Sequence, residues 1–265
     1  MSADDNPLVR ADPWQALRRH TRARIALGRV GSSLPTREVL DFGLSHAMAR
    51  DAVHLPLDTQ ALRASIESLG HETVEVSSRA ADRHTYLLRP DLGRRVAPED
   101  VERLRAMAQK PGPDLLLVVG DGLSSLAVAR QAAPLLAELR ARWPAGWRSG
   151  PVVIARQARV ALADEVGEAL GARMVAMLIG ERPGLTSPDS PGVYITWAPR
   201  VGCHDAQRNC ISNIRPEGMP YTTAAHKLLW LAREAHRMQL TGVALKDESD
   251  VAEIGGESLP QLPKG

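Results

Sequence analysis

The sequence predicts an α/β fold, a mostly parallel sheet with a mainly helical N-terminal region. Three observations carry this. From residue 114 onward, the short runs DLLLVV (114–119), VVIA (152–155), MVAMLIG (174–180) and GVYITW (192–197) are nearly continuously apolar, the texture of strands buried on both faces. Segments with helical spacing alternate with them, and strands alternating with helices imply right-handed parallel crossovers. Before residue 110 the apolar positions recur mainly at helical spacing instead.

The elements follow in order. Residues 1–12 are polar, carry Pro7 and are expected to be loosely held. Pro13 can open a helix, and Trp14, Leu17, Thr21 and Ile25 recur at helical spacing up to about Ala26, with Gly28 and Gly31 as stops. A second helix follows Pro35, with Thr36 as the expected N-cap and Val39, Leu40 and Leu44 facing inward. A third covers 59–69 and ends at Gly70. A short strand pair is expected at 73–76 and 85–88, followed by the turn Pro90-Asp91-Leu92-Gly93. Pro98 opens a helix over 99–109, and Lys110-Pro111-Gly112-Pro113 reads as a linker. The chain is thus expected to divide into a mainly helical region (1–110), an α/β domain (111–245) and a disordered, acidic tail (246–265). Within the α/β domain, Ser124 caps a helix running to about Arg142, a helix over 160–170 closes at Gly171, and a last helix covers 221–240.

Composition narrows the function classes. The chain has 265 residues, 44% hydrophobic and 24% charged, as ordinary globular proteins have. Aromatics make up only 3%, so Ala, Leu, Val and Ile must build the core. Charges of both signs are interspersed around a net +2, with no basic stripe carrying aromatics, which argues against nucleic-acid binding. No apolar run of about 18 residues suits a membrane span, and the N-terminus shows no signal-peptide apolar stretch. Two cysteines, Cys203 and Cys210, are too few for a disulfide scaffold and suit a reduced, cytoplasmic setting.

Four segments carry chemistry worth weighing. Gly120-Asp121-Gly122 follows a strand and opens a helix, as phosphate-binding turns do, but no acidic residue follows the next strand to hold a ribose. The segment 82–87, DRHTYL, is a near match to D-x-H-x-x-G, a pattern that supplies a His to cobalt in one class of cobalamin proteins; Leu87 stands in place of the glycine, so His84 is expected to be an ordinary strand residue. Cys203, His204 and Cys210 are soft ligand types, but a structural zinc site needs four ligands in spaced pairs, and no metal is expected. The segment 180–184, GERPG, lies beyond a strand's carboxyl end, where open α/β sheets bind ligands, so Glu181 and Arg182 suit polar recognition there. No nucleophile triad, P-loop or paired-carboxylate pattern is visible.

The segments LLRPDLGRR (87–95), VVGDGLSSLAV (118–128), RVALADEVGEALGARMVAMLIGERPGL (159–185) and NCISNIRPEGMPYTTAA (209–225) resemble the small subunit of ethanolamine ammonia-lyase, and the likeness runs from about Trp14 to Met238. The resemblance implies a Rossmann-like subunit of an adenosylcobalamin-dependent lyase of ethanolamine catabolism, which converts ethanolamine to acetaldehyde and ammonia. It implies a large subunit in a hetero-oligomer, with the substrate chemistry there and no catalytic residue on this chain. Cofactor contacts transfer to Val160, Glu181 and Cys210. The implied location is cytoplasmic; the family's longer polar N-terminal extension, linked to packaging in a bacterial microcompartment, is mostly missing here. The alternative is a stand-alone nucleotide-binding module built on Gly120–Gly122.

Overall fold

A computed structural model describes residues 8–250. The expected looseness of 1–12 and the expected tail therefore fall largely outside the described residues. Residues 246–250 are within them, and Lys227 holds Asp247 and Asp250 there at 3.3 and 2.8 Å.

One six-stranded sheet organises the chain. Its strands are β1 (Thr73–Ser77), β2 (Leu116–Gly120), β3 (Val152–Arg156), β4 (Met174–Gly180), β5 (Pro191–Trp197) and β6 (Arg208–Ile211), in spatial order β1-β3-β2-β4-β5-β6. The first four are mutually parallel. The chain 181–190 between β4 and β5 forms no helix, so β5 returns antiparallel to β4, and β6 pairs antiparallel with β5. The helices are α1 (Thr36–His54), α2 (Thr59–Ser68), α3 (Arg83–Leu88), α4 (Pro98–Met107), α5 (Ser125–Ala141), α6 (Leu162–Ala169) and α7 (Tyr221–Met238).

Side-chain alternation along the strands feeds two cores. Leu117, Val119, Ile154, Ala176, Val193 and Ile195 point to one face, which α2, α5 and α7 cover with residues such as Ile66, Leu135 and Leu228. Leu116, Val118, Val153, Val175 and Met177 point to the other, covered by α4 and α6 through Leu104 and Leu162. β1 comes from the first 110 residues and is an edge strand of the same sheet.

The N-terminal region departs from expectation in four places. The helix expected from Trp14 is a 3-10 turn, Gln15–Arg19, with no buried residue, and Ala26 has φ +51° and Gly28 φ +74°. Without a face to pack, so short an isolated helix does not propagate. α1 forms where expected, but Pro35 rather than Thr36 is its N-cap. Val39, Leu40 and Leu44 face solvent at 51, 67 and 61% exposure, because no other element among the described residues covers them. The strand expected at 85–88 is the helix α3, started by Asp82, whose Oδ1 accepts the Thr85 N–H at 2.7 Å; a local cap outweighs β-propensity over so short a run.

Candidate functional site

The parallel strands β2, β3 and β4 deliver their carboxyl ends to one edge of the sheet. Asp121, the residue after β2, is buried there. Its carboxylate accepts the N–H groups of Gln157 and Ala158 at 3.0 and 2.9 Å and pairs with Arg83 Nη1 at 3.3 Å. Burial raises the Asp121 pKa against the lowering effect of those donors. Arg83 also donates to Val53 O at 2.7 Å and Gly122 O at 2.8 Å. Gln157, with φ +54°, holds a strained turn that brings the chain off β3.

This arrangement closes the turn that sequence reading offered as a phosphate cradle. A Cβ on Gly122 would run into the carbonyl of Gly180, and Gly122 has φ +56°. Ser124 caps α5 through the Ala127 N–H at 3.1 Å and donates its own hydroxyl to Pro188 O at 2.7 Å. The glycines serve close packing of β2 against β4, and the stand-alone nucleotide module is set aside.

Glu181 stands just past β4. Its Oε2 accepts Ser190 Oγ at 3.0 Å and the Asn213 N–H at 3.3 Å. Its Oε1 lies over Gly192, 2.7 Å from where a Cβ would stand, and takes no hydrogen bond among the described residues. Two residues along β5, Tyr194 stands opposite Cys210 of β6. Cys210 lies in β6, a strand the sequence analysis does not expect, and it is exposed while Cys203 is buried. Desolvation raises the Tyr194 pKa, and the neighbouring Cys210, Glu181 and Asp205 raise it further. Desolvation also raises the Cys210 pKa, with Tyr194 opposing and Glu181 adding to the effect.

Val160 follows β3 in a turn, because α6 begins two residues later than the helix expected there. It is half-buried against the same core as Tyr194. Beside it opens a cavity of about 230 Å³ lined by Pro90, Arg94, Arg159, Val160, Ala161 and Asp205. Glu181, Tyr194 and Cys210 thus form one cluster, and Val160 reaches the same side of the sheet, linked through Asp205. A larger cavity, about 620 Å³, opens beside His71 and Trp147 at the amino ends of β2 and β3, away from the edge where parallel sheets bind ligands.

His84 is exposed on α3, and its neighbour Asp82 is engaged as the helix cap. Sequence reading missed Tyr194, Arg94 and Arg159. Tyr194 had a readable signal, since alternation sets it opposite in direction to Val193 and Ile195.

Residues 11–246 match the family model described as ethanolamine ammonia-lyase light chain (EutC). The chain is 58% identical over 248 residues to the ethanolamine ammonia-lyase small subunit of Azotobacter vinelandii, covering 92% of each chain. It is 58% identical over 252 residues to that of Ralstonia nicotianae, covering 94% of this chain and 93% of the relative. It is 54% identical over 257 residues to that of Pseudomonas fluorescens, covering 96% and 92%.

Proposed function

The chain belongs to the ethanolamine ammonia-lyase light-chain family, and from that membership we propose that it closes one side of an adenosylcobalamin site whose other side is the enzyme's large subunit. The observation that carries the reading is the gathering of Glu181, just past the carboxyl end of β4, with Tyr194 and Cys210 on the adjoining strands β5 and β6 and with Val160 on the same side of a largely parallel sheet.

The residues fit that group. A corrin ring is a large apolar plate fringed with amides. Half-buried Val160 offers it apolar contact, and the uncommitted Glu181 Oε1 offers an acceptor to an amide N–H. Cys210 presents a small, polarisable sulfur. When bound, adenosylcobalamin supplies radical chemistry; this chain supplies orientation and exclusion of water. Asp82, the acidic residue of the near match to D-x-H-x-x-G, is engaged as the cap of α3.

The large subunit has a surface to meet. Among the residues of α1 only Ala52 is buried, and Leu40, Phe42, Leu44 and Met48 stand exposed. Contiguous apolar surface on that scale marks a protein interface. Among the described residues no helix is long and apolar enough to cross a membrane.

Ultraviolet–visible spectra test the reading. The two subunits purified together should retain cobalamin bands through gel filtration, and the large subunit alone should lose them. Full retention by the large subunit alone would remove the cofactor role from this chain. Isolated, this chain should show no turnover of ethanolamine with added adenosylcobalamin.

A further inference from the structure

The cavity beside Val160 is lined by two arginines, Arg94 and Arg159, whose side chains have no hydrogen-bond or ion-pair partner among the described residues. Arg94 makes no side-chain hydrogen bond or ion pair among the described residues. Arg159 lies with its guanidinium carbon 4.4 Å from the Tyr86 ring centre, and its Nε is buried without a partner. Most other arginines of this sheet edge are committed: Arg83 to Asp121, Arg95 to Glu165, Arg208 to Asp164.

The two unpaired groups are brought together deliberately by the backbone. The Arg159 N–H donates to Gly93 O at 2.8 Å, which ties the turn carrying Arg94 to the turn carrying Arg159. Gly93 makes the approach feasible, since a Cβ there would stand 2.9 Å from the Tyr86 ring and 3.0 Å from Arg159 Cγ. Stacking on Tyr86 fixes the plane of the Arg159 fork. The acidic member of the lining, Asp205, is directed toward Arg208, 3.5 Å away.

We infer that Arg94 and Arg159 form a subsite for a phosphodiester, that of the cofactor's nucleotide tail. Two arginines in the lining of one cavity suit tetrahedral anionic oxygens, and a charge-assisted pair is stronger than neutral hydrogen bonds. Within adenosylcobalamin the phosphodiester is the anionic group, while the corrin periphery carries amides. The subsite therefore reads the tail, whereas Val160, Glu181 and Cys210 face the ring. This rests on the cofactor reading above and specifies which part of the cofactor reaches which residues.

The two-subunit complex provides the test, by equilibrium dialysis with absorbance detection of bound corrinoid. Cyanocobalamin carries the phosphodiester and nucleotide; dicyanocobinamide keeps the corrin amides and lacks both. Arg94→Gln and Arg159→Gln should each weaken cyanocobalamin binding by about tenfold or more and leave cobinamide binding unchanged. Arg159→Lys, which keeps charge without the fork, should fall between. Arg94 is exposed, so Arg94→Gln carries the test even where replacing the stacked Arg159 disturbs folding. Equal losses for both corrinoids, or no loss for either, would overturn the subsite. So would unchanged cyanocobalamin binding with weakened subunit association, which would give these arginines to an acidic surface of the large subunit. A wild-type complex that binds neither corrinoid overturns the cofactor reading itself, and is told apart because it fails before any substitution.

Discussion

Tyr194 and Cys210 are direct partners across the antiparallel pair β5–β6, and both side chains turn away from the core that holds their neighbours Val193, Ile195 and Ile211. That shared direction sets an exposed thiol beside a half-buried phenol and the Glu181 carboxylate. With its pKa raised by desolvation, Cys210 is mostly neutral thiol near neutral pH. Alkylation by N-ethylmaleimide, followed by peptide mass spectrometry, should therefore rise with pH later than for a free thiol. Bound cobalamin should suppress it in the two-subunit complex. Labelling at the rate of a free thiol, indifferent to cobalamin, would contradict both statements.

The pair Arg208–Asp164 holds β6 to α6. Both side chains are 2% exposed, and the ions meet at 2.6 Å. Arg208 also donates to Thr196 Oγ1 and Cys203 O, each at 2.9 Å. Asp164→Ala leaves the buried guanidinium with only the exposed Asp205 carboxylate, 3.5 Å from its Nε, as charge partner, a loss of about 3 kcal/mol. Urea unfolding should show it as a lower midpoint with unchanged slope. The double variant Asp164→Leu with Arg208→Met should recover much of the loss, since no charge is then stranded.

Glu165 makes stability pH-dependent in a known direction. Burial works to raise its pKa, but the Arg95 fork, at 2.7 and 3.0 Å, and the Val96 N–H, at 2.7 Å, outweigh it and hold the carboxyl below its ordinary value. A depressed folded pKa gives stability that is complete above the ordinary glutamate value and is lost as pH falls through the lowered one. Glu165→Gln should lower the melting temperature at pH 7 and flatten its fall between neutral and strongly acidic pH. A variant with the wild-type acid limb would assign that limb to other carboxylates.

The strands of the α/β part were legible because burial on both faces leaves an uninterrupted apolar run, and the helices between them end at readable caps such as Ser124 and Gly171. β6 was not, because Arg208 and Asn209 in RNCI are polar for reasons visible only in three dimensions: a buried ion pair with α6, and hydrogen bonds to Gly242 and Leu245. Arg94 and Arg159 were equally silent. Among so many arginines, only the structure reveals which have no partner. Val160, Glu181 and Cys210 came from resemblance; spacing alone would have singled out Glu181 and Arg182.

Gly122 measures how much of its turn is packing. Its φ is +56°, and an added Cβ would collide with Gly180 O, backbone that cannot swing aside. Gly122→Ala should cost about 1–3 kcal/mol through strain and displacement of the β4 end. Because Glu181 follows Gly180 directly, corrinoid retention should fall with stability. Wild-type stability in this variant would show the turn to be looser than the close contact requires.

The final prediction concerns α1. This helix spans Thr36–His54 and buries only Ala52 among its residues, so packing within the chain gives it little support. Helices of this length are marginal in water on propensity alone and take their stability from an apolar face that is covered. Leu40 and Leu44 are one turn apart and share a face, at 67 and 61% exposure. In the assembly proposed above, the large subunit covers them. Replacing both by Asp removes apolar area and places two charges where a dry contact is expected. Unfolding of the isolated chain should move by no more than about 0.5 kcal/mol per site, the usual range for exposed positions, and its solubility should improve. Co-elution with the large subunit on size exclusion should weaken by at least tenfold in the concentration needed, about 1.4 kcal/mol. Undiminished co-elution of the double variant would move the interface off α1 and leave its apolar face unexplained.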